Sequence, residues 1–246
     1  MQRKDRPLAR FYYLEAHKSS MRLSTGIAGL DAILGGGIPK GYVVAVVGSY
    51  GTGKTMLGVH FIYEGLKRGE SCMIISFDED EESVLRNAKS VGMDLEKFEN
   101  FEIARLEALE VRKSFERIES DLPEMIKSLN ASRVLIDSIS VLETLFNDAE
   151  RYRILSSLRR TMKSAGITAI ITSEADKFLP TASKYGILEY VCDGMICLKM
   201  IRKSELEEPT LGLEVVKMRG VKHSRKPKPY MITEKGIVVY EEAEIL

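Results

Sequence analysis

Gly48, Ser49, Tyr50, Gly51, Thr52, Gly53, Lys54 and Thr55 form an unbroken run whose residue types and spacing suit one task, gripping a chain of phosphates. Glycines let successive backbone N–H groups turn inward on an anion, and a helix opening directly afterwards adds its positive N-terminus. Lys54 supplies a point charge for β- and γ-phosphates, and the Thr55 hydroxyl is a ligand for magnesium. The run matches G-x-x-x-x-G-K-[ST] at every fixed position, so ATP with Mg2+ is the expected ligand pair. No adenine-reading motif accompanies it.

Three other groups could complete such a site. Asp137 closes the apolar stretch Val134-Leu135-Ile136, where a strand would present a carboxylate to the metal, usually through a coordinated water. The plainer reading is a turn residue ending a strand. The acidic run Asp78 to Glu82 follows another apolar stretch. Asp80, Glu81 and Glu82 suit the first turn of a helix, where they complement its dipole. Asp78 and Glu79 fall at a strand's carboxyl edge, where one of them could orient or deprotonate an attacking water. Lys217 and Arg219 alternate along LEVVKMRG, with His223 and the basic residues Lys222, Arg225, Lys226 and Lys228 after them. By composition that segment is a solvated edge strand blunted by charge. It also suits cations that cross a subunit boundary as an arginine finger does, or a nucleic-acid patch.

The elements that must position these groups alternate short β-branched runs with amphipathic helices from Met21 onward, the pattern of a mainly parallel sheet covered by helices. YVVAVVG (42–48) reads as a buried strand, followed by a helix from Gly53 carrying Met56, Val59, Tyr63 and Leu66. CMIISF (72–77), RVLID (133–137) and ITAIITS (167–173) are the next strands. Helices carry Val84 to Val91, span roughly 112–129, and run from a cap at Asp148 to Gly166. After Asp193 the runs GMICLKMI, LGLEVVKM, PYMIT and GIVVY leave no room for helices and read as antiparallel strands extending the sheet. The fold class is therefore α/β. Residues 1–20 show neither periodicity nor caps and form an expected N-terminal extension, loose or packed on a neighbouring subunit, before the domain at 21–246.

Composition narrows the partners. Lys+Arg and Asp+Glu balance at 36 each over 246 residues, so no bulk charge marks a dedicated nucleic-acid or acidic-membrane binder. No stretch approaches the ~20 apolar residues of a membrane span. Cys72, Cys192 and Cys197 sit in apolar surroundings without a two-residue spacing, as expected of core thiols in a reduced, cytoplasmic protein.

Beyond the phosphate loop, longer blocks carry a resemblance. Ser24 to Asp31 (STGIAGLD), Gly35 to Gly41 (GGGIPKG), Ile75 to Glu79 (ISFDE) and Arg86 to Leu95 (RNAKSVGMDL) occur in that order. They are followed by Thr172 to Glu174 (TSE), Lys184 to Gly194 (KYGILEYVCDG), Lys217 to Gly220 (KMRG) with His223, and Ile232 to Ile237 (ITEKGI). Together these resemble the KaiC and RadA branch of RecA-like P-loop ATPases, above all KaiC, over nearly everything after Met21. The resemblance implies a RecA-like fold and catalytic carboxylates at Asp78 and Glu79. It also implies that Lys217 and Arg219 reach the ATP of an adjacent subunit, in a homo-oligomeric, hexameric ring. Position 78 holds Asp where the family usually has Glu, so Glu79 is the expected base. The chain has length for one copy of a unit that the clock protein carries twice, and clock timing and autophosphorylation are not supported. Two other readings differ in class: a DNA-dependent, recombinase-like motor, and a slow-turnover, nucleotide-gated scaffold.

Overall fold

The computed structural model describes residues 21–109, 130–202 and 207–245, with Glu124, Ile126 and Ser128 between the first two stretches. The expected extension at 1–20, and all but three residues of the helix expected over 112–129, lie outside them.

Among the described residues, strands β1 (Arg22–Leu23) and β2 (Ile38–Pro39) make a small antiparallel pair flanking helix α1 (Ala28–Ile33). The main sheet takes strands β3 (Val43–Gly48), β4 (Cys72–Ser76), β5 (Phe101–Arg105), β6 (Arg133–Asp137), β7 (Thr168–Glu174), β8 (Gly194–Ile201), β9 (Thr210–Met218), β10 (Lys228–Thr233) and β11 (Gly236–Val239). Their order is β11-β10-β9-β8-β3-β7-β6-β4-β5, parallel from β8 to β5 and antiparallel from β8 to β11. The helices are α2 (Lys54–Lys67), α3 (Glu81–Ser90), α4 (Ile139–Glu143), α5 (Asp148–Ser164) and α6 (Leu188–Val191).

Because strand side chains alternate between faces, each strand feeds two cores. Val44, Val46, Ile74 and Leu135 pack with Leu57, Phe61, Val84 and Ala88 of α2 and α3. Val43, Ala45, Val47, Ile75 and Ile136 pack with Leu155, Leu158 and Met162 of α5 and Leu188 of α6. Helices thus cover both faces, so the parallel strands read as continuous apolar runs. The three cysteines are buried within these cores, and burial pushes each thiol up to about 12, which leaves them as packing residues.

One local expectation is corrected, one is refined and one strand is added. Asn147, not Asp148, caps α5. Its Oδ1 accepts from the Glu150 N–H at 3.1 Å and the Glu150 carboxylate accepts from the Asn147 N–H at 2.9 Å, while Asp148 is the first helical residue and pairs with Arg151. Strand β9 lies between β8 and β10, but β10 pairs only with Leu211, Gly212 and Leu213, so among the described residues the segment carrying Lys217 borders β8 alone. At the other edge β5 went unread in the sequence, because FEIAR is half-buried and alternates charges with apolar residues.

Glu143, at the end of α4, is 3% exposed, and neither carboxylate oxygen has a hydrogen-bond partner. Burial raises its carboxyl to about 7, with Glu189 adding to the rise and Arg151 and Lys184 opposing it. A raised carboxyl favours the fold fully below its ordinary value of 4.5, and that contribution is lost as pH climbs through about 7. The difference corresponds to about 3 kcal/mol. Glu143→Gln is therefore expected to raise the urea midpoint at pH 8 and to change it little at pH 4. Equal shifts at both pH values would contradict this.

Candidate functional site

The phosphate loop hangs from the carboxyl end of β3, at the centre of the sheet. Gly51 and Gly53 have φ of +74° and +80°, conformations that a side chain would strain. Thr52 is fully buried and its hydroxyl donates to the Ser49 carbonyl at 2.7 Å, while Lys54 Nζ donates to the same oxygen at 2.9 Å. Tyr50 is exposed at the tip.

Strands β6, β7 and β4 bring the other groups to the same edge. Asp137, 6% exposed, ends β6 and accepts from the Thr55 hydroxyl at 2.7 Å on Oδ2 and from the Thr172 hydroxyl on Oδ1. Burial pushes the Asp137 carboxyl up, and the two hydroxyls and Lys54 pull it back. Burial also pushes Lys54 down, opposed by Asp137, Glu174 and Asp78. A buried carboxylate and a hydroxyl in contact are hard oxygen donors of the kind magnesium takes when phosphates supply the rest of its shell. Among the described residues, no group of three or more His, Cys, Asp or Glu side chains could hold a metal ion.

Glu79 follows β4. Its carbonyl accepts from the Ser76 hydroxyl at 2.6 Å and its Oε2 from the Asn87 amide at 3.1 Å. It borders a cleft of 280 Å³ between α2 and α3, lined also by Gly53, Thr55, Met56 and Val59. Burial raises the Glu79 carboxyl, and Asp137 and Asp78 raise it further. Asp78 is exposed beside it. Asp80 caps α3 by accepting from the Ser83 N–H at 2.8 Å, and Glu81 and Glu82 fill the first turn as expected.

Lys217 and Arg219 do not join this cluster. Lys217 pairs with Met195 at the start of β8, and its Nζ donates to the carbonyls of Glu189 at 2.7 Å and Cys192 at 2.8 Å. The Arg219 guanidinium donates to the Tyr190 carbonyl at 3.0 Å and lies 3.6 Å from the buried carboxylate of Asp193. Asp193 in turn accepts from the Val43 N–H at 3.2 Å, at the opposite end of β3 from the loop. Five residue steps of ~3.3 Å put about 17 Å of sheet between Arg219 and Gly48. Of the basic run beyond, Lys226 is paired with Glu244 at 2.7 Å and Lys228 is buried against the Ala243 carbonyl, which thins any nucleic-acid patch. His223 lies half-exposed, its Nδ1 3.0 Å from the Ser224 carbonyl.

Thr172, Glu174 and Asn87 also border this edge, with no role legible for them in the sequence. Thr172 and Glu174 stand in the TSE block at the end of β7, beside β3 and β6, a position that marked them only as part of a resemblance. Asn87 sits eight residues beyond Glu79, visible only once α3 folds back over it.

Sheet order, two-sided helix cover and the loop on the central strand define a RecA-like P-loop fold. The family model "ATPase: KaiC" matches residues 23–244. The chain belongs to the KaiC ATPase family. It is 36% identical over 236 residues to circadian clock protein KaiC2 of Synechocystis, covering 90% of this chain and 40% of that one. A UPF0273 protein of Pyrococcus furiosus is 33% identical, with 90% and 94% covered. The crystal structure of a KaiC-like protein from Pyrococcus horikoshii superposes with a TM-score of 0.77 at 32% identity, covering 89% of this chain and 99% of that one. The chain thus spans less than half the length of the clock proteins but nearly all of its archaeal relatives. Membership supports nucleotide binding and ATPase chemistry. No helix among the described residues is long and apolar enough to cross a membrane.

Proposed function

We propose that the protein is a cytoplasmic, magnesium-dependent ATPase that works as a homo-oligomeric, hexameric ring, with each ATP shared between two subunits. The observation that carries the reading is the contact of Thr55 with the buried Asp137 directly beneath the loop. Lys54 and the loop N–H groups bind the phosphates, and Thr55 and Asp137 hold the magnesium. When bound, the metal neutralises phosphate charge and polarises the phosphorus–oxygen bond. Glu79, held by Asn87, accepts a proton from the attacking water, and Asp78 adds negative potential beside it.

An offset of about 17 Å keeps Lys217 and Arg219 from their own loop, which supports action on the nucleotide of a second copy. In that role they stabilise charge developing on the transferred phosphoryl group. The test is phosphate release from ATP and Mg2+ on size-resolved assemblies. Arg219→Ala is expected to lose roughly 10²-fold or more in kcat while still binding ATP. Mixing it with Glu79→Gln should restore part of the activity, since some interfaces then pair an intact base with an intact cation. A monomeric wild type, or normal turnover by Arg219→Ala, would defeat the shared site. Stoichiometric ATP retention with negligible phosphate release by wild type would favour the nucleotide-gated scaffold.

A further inference from the structure

Tyr230, on β10, is 2% exposed, and its hydroxyl donates at 2.6 Å to the carbonyl of Thr52, inside the phosphate loop and 178 residues away in sequence. A planar trans peptide points its carbonyl and its N–H in opposite directions. Holding the Thr52 carbonyl towards the hairpin therefore turns the Gly53 N–H away from it, into the anion-binding concavity. Gly53, at φ +80°, has the freedom to let this peptide turn over, and that would aim a carbonyl dipole at the phosphates. The rest of the hairpin closes on the same residue. A Cβ on Gly53 would lie 2.9 Å from Ile232 Cδ1 and 3.5 Å from Ile237 Cδ1. The Ile237 N–H donates to His60 Nε2 at 2.9 Å, which ties the hairpin to α2 as well. Burial pushes the Tyr230 phenol up, so it stays a donor, and burial pushes His60 down to about 4, so it stays a neutral acceptor.

We infer that Tyr230 is a positioning residue for nucleotide binding: its hydroxyl fixes the Thr52–Gly53 peptide with the N–H facing the phosphates, so the β10–β11 hairpin sets the affinity of the loop. The inference rests on the reading that this loop binds the phosphates of ATP. Tyr230→Phe removes one hydroxyl and keeps the ring that fills the core, so the fold is retained. Binding of ATP and of ADP with Mg2+ is measured by calorimetry on wild type, Tyr230→Phe and Lys54→Ala, together with KM and kcat for phosphate release and the thermal midpoint without nucleotide.

The expected result is a Kd for both nucleotides raised roughly three- to tenfold in Tyr230→Phe, the factor one buried hydrogen bond carries. KM rises in parallel and kcat stays within about twofold, because bound phosphate then holds the peptide itself. An unchanged Kd, even with a lowered thermal midpoint, would reduce the hydroxyl to a structural part and overturn the proposal. So would a fall in kcat at constant KM. If wild type binds no ATP, or Lys54→Ala binds as tightly as wild type, the phosphate-loop reading fails and this inference with it. If those controls behave and Tyr230→Phe matches wild type, only the inference fails.

Discussion

Lys54→Ala abolishes the thermal shift that ATP and Mg2+ confer on the wild-type protein, with Kd raised roughly a hundredfold or more. The size of the effect follows from the site's charges. Asp137, Glu174 and Asp78 each favour the charged form of Lys54 against the burial that opposes it, although Glu174 is also paired with Lys184. Without Lys54 the phosphates would enter a cleft bordered by carboxylates with only the loop N–H groups left to meet them, having lost the loop's one cationic donor. Wild type at a hundred times its Kd should gain about 2.7 kcal/mol of stability from the nucleotide, and the variant almost none. A variant that still shifts as wild type does would remove Lys54 from the site.

Glu79→Gln should keep ATP binding and lose roughly 10²- to 10⁴-fold in kcat, the range general base catalysis contributes. The pH dependence distinguishes a base from a bystander. Burial, then Asp137 and Asp78, hold the Glu79 carboxyl above its ordinary value, so the ionised, active form disappears as pH falls through that raised value. Wild-type kcat/KM should climb along an acid limb shifted upward from an ordinary glutamate, and the Gln variant should lack that limb. The same sign predicts a stability benefit, because a raised carboxyl contributes least once pH has passed it, and glutamine removes the cost of ionising there. A Gln variant with the wild-type rate and limb would pass the role of base to another group, Asp78 first.

The parts of this site that could be read from sequence are the parts whose chemistry is contiguous. Eight consecutive residues specify the loop, and Asp137 announces itself by ending an apolar run that the fold buries on both faces. Asp80 was legible for the same local reason as an acid at the start of a helix, placed in the first turn where the structure makes it the cap. Thr172 was not, because its hydroxyl meets Asp137 only through the parallel register of β6 and β7. Lys217 and Arg219 show the intermediate case. Their types suggested phosphate chemistry, but only the pairing of β8 with β9 reveals that they stand at the far end of the sheet from their own loop. The cap at Asn147 was missed by one position, since Asn and Asp are equivalent caps and the reciprocal bond to Glu150 decides between them.

The hydrogen bond from Tyr230 to Thr52 also sets an order of events during synthesis. The loop leaves the ribosome early, and its brace follows 178 residues later. At about 5–20 residues per second, that interval is on the order of ten seconds or more. A nascent chain in that interval carries the whole phosphate-binding motif without the hairpin that orients it. Nucleotide capture at full affinity is thereby deferred until translation has passed Tyr230, so a fully ATP-loaded subunit is one whose β10 strand is already in the sheet.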